Sequence, residues 1–165
     1  MKIAEELLKN FPVGRPPFQV DVKSALQHYI GRENIYYIHF TNGMSGGLFS
    51  VNGRPFVLIN LNQSKNRIHW TEAHELAEFL LHYDTIYEPF GFSLKAEDLN
   101  REKRANMLAA EFLMPEKVIR AITADFARLK IPSMKEPFIR EIARKFSVSE
   151  IAVKTRLKNL KINIG

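Results

Sequence analysis

From Ile68 to His82 the sequence allows little besides an amphipathic helix whose apolar face borders a row of titratable groups. Turned at about 100° per residue, Trp70, Ala73, Leu76, Ala77, Leu80 and Leu81 share one arc, which has to meet a core. Beside that arc runs a stripe of Thr71, His74, Glu75, Glu78 and His82. His74 and Glu78 are four residues apart, so their side chains share a face and can converge on one ion. Glu75 points to the side of the pair. This is the arrangement of H-E-x-x-H, in which the glutamate takes a proton from water activated by a metal, except that the fifth position here is Glu78. A solvated helical face is the plainer reading of the same residues. His82 lies eight residues beyond His74, about 12 Å along a helix, and so reads as a supporting or structural histidine and not as a replacement ligand.

Composition narrows the chemistry. The chain has 165 residues, enough for one domain with a small appendage and a core that needs no staples. It contains no cysteine, which excludes disulfides, iron–sulfur clusters and thiolate zinc sites. Any metal must then be held by His, Asp and Glu. Met1–Asn10 alternates apolar and charged residues and reads as a short amphipathic helix, not a signal peptide or membrane span. A cytoplasmic location is the default expectation, with no membrane partner.

Turn chemistry supplies the rest of the layout. Asp21–Tyr29 has helical spacing and stops at Gly31, and Ile35–Phe40 reads as a strand. Asn52-Gly53 separates two apolar runs, Leu48–Val51 and Arg54–Asn60, and marks a hairpin because both turn residues must tolerate positive φ. Leu99–Met114 reads as a second helix, ended by Pro115, which can open a third through Ala127. Pro132 and Pro137 bracket a linker, followed by short helices at Phe138–Phe146 and Ser149–Leu160. The loop Asp84–Asp98, with Tyr87, Phe90 and Phe92, reads either as a substrate-facing flap or as a packed surface loop.

The second helix offers a further carboxylate. Ala105, Ala109, Phe112 and Leu113 mark its buried face, with Asn106 inside that arc and Glu102 one turn earlier. A carboxylate turned toward a core is expensive unless it meets a metal, a cation or several donors. Glu102 therefore suits the role of third ligand from a neighbouring helix, although Arg101, Lys103 or Arg104 could pair with it instead. Glu111 is expected on the opposite, solvent side.

Two segments resemble a known family. Trp70–His82 resembles the active-site helix of the ImmA/IrrE metallopeptidases, and Glu102–Pro115 resembles that family's second signature. Phe56–Asn60 before the helix, and Ile142-Ala143 through Leu157 after it, fit the same layout. The resemblance implies an α+β, zincin-like minimal metallopeptidase with a small antiparallel sheet, two active-site helices and a C-terminal helix-turn-helix-like segment. It implies endopeptidase activity on a regulatory protein such as a DNA-bound repressor. By position, His74 would be the first ligand, Glu75 the general base and Glu102 the third ligand, while position 78 is where the family carries its second histidine.

That departure has a physical meaning. His74, Glu78 and Glu102 would neutralise a divalent ion, whereas a His₂Glu set leaves one positive charge. A neutral site withdraws less charge from water, so the nucleophile is scarcer at neutral pH. Zinc remains the first expectation for the single ion, and the extra oxygen ligand makes manganese the alternative. The rival reading is a catalytically weak or inactive pseudo-peptidase that binds protein as an antirepressor module.

Residues 1–131 are expected to form the peptidase domain and 132–165 the helix-turn-helix-like segment packed on it. Ile142-Ala143, Phe146 and Val148 suit such a motif, Ser147 with Glu150 would cap its second helix, and Lys154, Arg156, Lys158 and Lys161 would line that helix. Of the net charge of +6, residues 135–165 hold eight basic against three acidic side chains. Nucleic acid is one partner such a surplus would suit, and a solvated Lys-rich face is the plainer one. The sequence does not specify the oligomeric state.

Overall fold

A computed structural model gives the fold and describes residues 2–14, 18–41, 43–82, 96–129 and 131–164. Helix α1 (Lys2–Asn10) leads through the two-residue strands β1 (Pro12–Val13) and β2 (Gln19–Val20) into α2 (Val22–Ile30). Asp21 caps α2 by accepting from Ser24 N at 3.1 Å, and Gly31 ends it at φ 90°, a conformation that favours glycine. The strands β3 (Ile35–Ile38), β4 (Gly46–Val51) and β5 (Arg54–Asn60) follow. Asn52 and Gly53, at φ 52° and 74°, make the turn of the β4–β5 hairpin as their residue types require.

The sheet is mixed. β5 is central, antiparallel to β4 and parallel to β3, with Ile35 opposite Val57 and Ile38 opposite Asn60. The α+β expectation holds. The parallel pairing was not readable from the hairpin, because Ile35–Phe40 carries no signal of direction. Residues 83–95 lie outside the described set, so the proposed flap at Asp84–Asp98 falls for the most part beyond it.

α3 (Lys65–His82) and α4 (Ala96–Leu113) lie against one another, with Ala73 and Ala77 of the first and Ala105 and Ala109 of the second all fully buried. Small side chains at the contact bring the two backbones close, and this brings polar groups on neighbouring faces together. α5 (Glu116–Leu129), α6 (Lys135–Phe146) and α7 (Glu150–Asn159) complete the chain. Pro137 lies in the first turn of α6 and does not end a linker. Its missing N–H is harmless there.

One buried cluster runs from Leu7 and Leu26 through Ile59, Leu76 and Phe112 to Ile142, Phe146 and Leu157. The C-terminal helices therefore share the core. Arg156, expected on an outer helix face, is only 7% exposed; its Nε donates to the Met114 carbonyl at 3.0 Å and its guanidinium pairs with Glu111. Glu111 correspondingly faces inward and also accepts from Glu116 N at 3.0 Å, capping α5, which corrects its expected solvent position. Asn66 of α3 donates to the Val148 carbonyl at 3.1 Å, and Phe126 stacks on Phe138 at 3.9 Å. The cap of α7 is Ser149, which accepts from Ala152 N, while Ser147 takes the left-handed conformation that ends α6. Among the described residues no helix is long and apolar enough to cross a membrane.

Candidate metal centre

α3 starts directly after the central strand, where Ser64 accepts from Arg67 N through its hydroxyl at 3.3 Å and from Ile68 N through its carbonyl at 2.9 Å. Its stripe of titratable groups then lies between the edge strand β4 and α4. One ligand atom each from His74, Glu78 and Glu102 lies within 4.8 Å of the other two. His74 Nε2 is 3.6 Å from Glu102 Oε2, close to the ~3.4 Å edge of a tetrahedron built on metal bonds of about 2.1 Å. His74 and Glu78 are half-buried. Glu102 is on the rim, its side chain 58% exposed, so the expectation that it points toward a core is corrected: it meets the pair from the solvent side.

Burial holds the His74 imidazole below its ordinary pKa, against the opposing pull of Glu102 and of a hydrogen bond with Asn106, while Arg67 adds to the lowering. A neutral imidazole is the form a metal needs. Asn106 is exposed, outside the buried arc assigned to it, and its bond to His74 fixes the ring as an outer partner would. Sequence reasoning had placed it on the right helix without this role.

Two carboxyls of α3, Glu75 and Glu78, are held in their protonated forms more strongly than usual. Burial, then the charges of Glu78 and Glu102, push Glu75 up to about 8, opposed by the Leu48 backbone N–H that donates to it. Burial and Glu102 push Glu78 up to about 7, opposed by Arg101 and Arg104. One buried oxygen of Glu78, Oε1, has no hydrogen-bond partner. An orphaned carboxylate oxygen beside a neutral imidazole and a second carboxylate is a donor set that a divalent cation would satisfy. His74, Glu78 and Glu102 thus fit such an ion, and Glu75, 5% exposed, stands next to it without belonging to the convergent trio.

Strand β4 approaches the site because position 46 is glycine. A Cβ there would lie 2.5 Å from Thr71 Cγ2, 2.7 Å from the Leu58 carbonyl oxygen and 3.4 Å from Glu75 Oε1. No ordinary side chain fits. His82 is buried further along α3, with its pKa lowered by burial and by Arg101 and Arg104 and with a hydrogen bond to the Arg101 backbone, so it ties α3 to α4. Glu72 is also buried and accepts from the Tyr37 hydroxyl at 2.6 Å, a link to β3 that helical periodicity did not suggest.

Comparison with known proteins agrees with this architecture. The family model described as IrrE N-terminal-like domain, Peptidase_M78, matches residues 30–158, while no curated protein gives a significant match. Among solved structures, a Mycobacterium tuberculosis transcriptional regulator is similar in fold, with a TM-score of 0.57 at 15% identity. The match covers 94% of this chain and 45% of that one, so the chain spans less than half the regulator's length. With its family match running from the end of α2 to α7 and across the whole candidate centre, the chain belongs to the Peptidase_M78 family and is a metallopeptidase-like domain.

Proposed function

We propose that the protein is a metal-dependent endopeptidase that cleaves a regulatory protein such as a repressor. The observation that carries this reading is the convergence of His74, Glu78 and Glu102 within 4.8 Å, with a buried carboxyl, Glu75, at its edge. A zinc or manganese ion held there would act as a Lewis acid toward water and the scissile carbonyl. The chain's own residues do the remaining work. Glu75 accepts the proton of the attacking water and returns it to the leaving amine, and a divalent charge beside it would draw its carboxyl back to the ionised form that a base needs. Asn106 holds the His74 ring, and the Leu48 N–H fixes the Glu75 carboxyl. Edge strand β4 and α4 both pack on α3, and a peptide lying between them would exclude water from the centre.

Glu78 favours a second reading. With glutamate in place of the family's second histidine, the trio neutralises a divalent ion, which weakens its pull on water. A weakly active or inactive protein-binding module is the outcome if that loss is large. Glu75→Gln separates the two. It keeps shape and metal while removing the base, and it is expected to lower cleavage of a bound partner protein by about 10²–10⁴-fold. Equal cleavage by Glu75→Gln and wild type, both above a metal-stripped control, would refute the role of Glu75. Partner binding without cleavage by either protein supports the binding module.

A further inference from the structure

The first turn of α3 contains no acidic residue and carries Lys65 and Arg67. Cations at that position oppose the helix dipole, so the turn is a concentrated positive spot. Arg67 is exposed, and among the described residues no carboxylate forms an ion pair with it. The side chain is nevertheless held. Its Nε donates to Ser45 Oγ at 3.0 Å, and the Ser45 carbonyl in turn accepts from Asn60 N at 2.9 Å. Asn60 is 1% exposed and pins the preceding loop, accepting from Phe40 N at 3.1 Å and donating to the Met44 carbonyl at 2.6 Å. With Nε committed, the terminal amino groups of Arg67 have no hydrogen-bond partner among the described residues.

Ser45 adjoins Gly46, where an added Cβ would meet Thr71 Cγ2 and lie 3.4 Å from Glu75 Oε1. Arg67 therefore stands at one end of the β4 edge of the cleft, seven residues before His74. Along the helix axis that is about 10 Å, the length of roughly three residues of extended peptide. A tethered guanidinium with two free amino groups is suited to bidentate recognition of a carboxylate.

We propose that Arg67 is a specificity residue, forming a subsite for an acidic side chain of the substrate about two to four residues from the scissile bond. The proposal rests on reading the centre as a peptidase. Lys65 reinforces the field, and Ser45 sets the direction of the guanidinium. Acidic groups near the centre itself would meet Glu75, Glu78 and Glu102, so the preference is confined to one end of the cleft.

The test is cleavage of a randomised decapeptide library by the zinc-loaded protein, with the products sequenced by mass spectrometry. Wild type is expected to enrich Asp and Glu at one fixed distance from the cut. Arg67→Glu should shift that position to Lys and Arg, and Arg67→Gln should abolish the preference, raising KM for an acidic peptide about tenfold with kcat kept. The same acidic enrichment in all three proteins, or none in wild type, would overturn the proposal. If wild type cuts nothing, the peptidase reading fails, and the subsite is read from retention of the library on immobilised Glu75→Gln protein. Selective retention of acidic peptides that disappears in the double variant with Arg67→Gln supports it. Equal retention by the two proteins, or none by either, rejects it.

Discussion

Arg156 of α7 and Glu111 of α4 form a buried ion pair that joins the C-terminal helices to the helix bearing Glu102. Both side chains are largely excluded from water, at 8% and 17% exposure, and each makes a second hydrogen bond, to the Met114 carbonyl and from Glu116 N. Removing one partner leaves the other charge buried. Arg156→Ala is expected to destabilise the fold by about 3 kcal/mol, measured by urea denaturation. A loss below about 0.5 kcal/mol, the level of a surface substitution, would contradict the burial of this pair.

Gly46 gives a test of how closely β4 rests on α3. A methyl group at this position meets Thr71 Cγ2 at 2.5 Å and the Leu58 carbonyl oxygen at 2.7 Å, and the latter belongs to the paired strand β5 and cannot rotate away. Gly46→Ala should therefore lower stability by about 1–3 kcal/mol and displace the edge strand from Glu75. Hydrogen exchange at the Leu48 amide, which donates to Glu75, is expected to accelerate. Unchanged exchange and unchanged melting would show that the strand does not lie so near.

The carboxyls of Glu75 and Glu78 make the metal-free protein sensitive to alkali. Their folded-state values are raised to about 8 and about 7 from an ordinary 4.5, so folding is favoured while they carry protons. That contribution is complete below the ordinary carboxylate value and is lost as pH rises through the folded values. His74, with its pKa lowered, is neutral in both states above neutrality and does not disturb the upper part of the window. Metal-free wild type should thus melt at lower temperature at about pH 9 than at about pH 7, and Glu75→Gln should reduce the difference. An equal slope in the two proteins would remove Glu75 as its source.

Much of this fold was legible because local chemistry and tertiary structure agree. Asp21 and Gly31 delimit α2, Asn52-Gly53 makes the hairpin, and the middle of the apolar arc, Ala73, Leu76 and Ala77, is fully buried on α3. The convergence of His74 and Glu78 follows from their four-residue spacing on α3, whereas Glu102, expected from the buried face of α4, meets the pair from the solvent side. Other features depend on partners distant in sequence. Nothing in a helical wheel tells that Glu72 meets Tyr37, that Arg156 meets Glu111, or that Gly46 is bare because α3 passes beneath it. Burial of Arg156 also shows why charge counting at the C-terminus misleads: one of the counted cations is internal.

The most direct test of the account is the metal content and zinc affinity of the purified protein beside His74→Ala, Glu78→Gln and Glu78→His. With three side chains convergent, wild type is expected to bind one divalent ion per chain. Affinity should fall in His74→Ala and Glu78→Gln, because each removes a donor. Glu78→His should tighten zinc binding by restoring a second imidazole and a net positive site. Wild type that takes up no stoichiometric ion, or that binds zinc as tightly as Glu78→Gln, would contradict the metal centre on which the proposed activity rests.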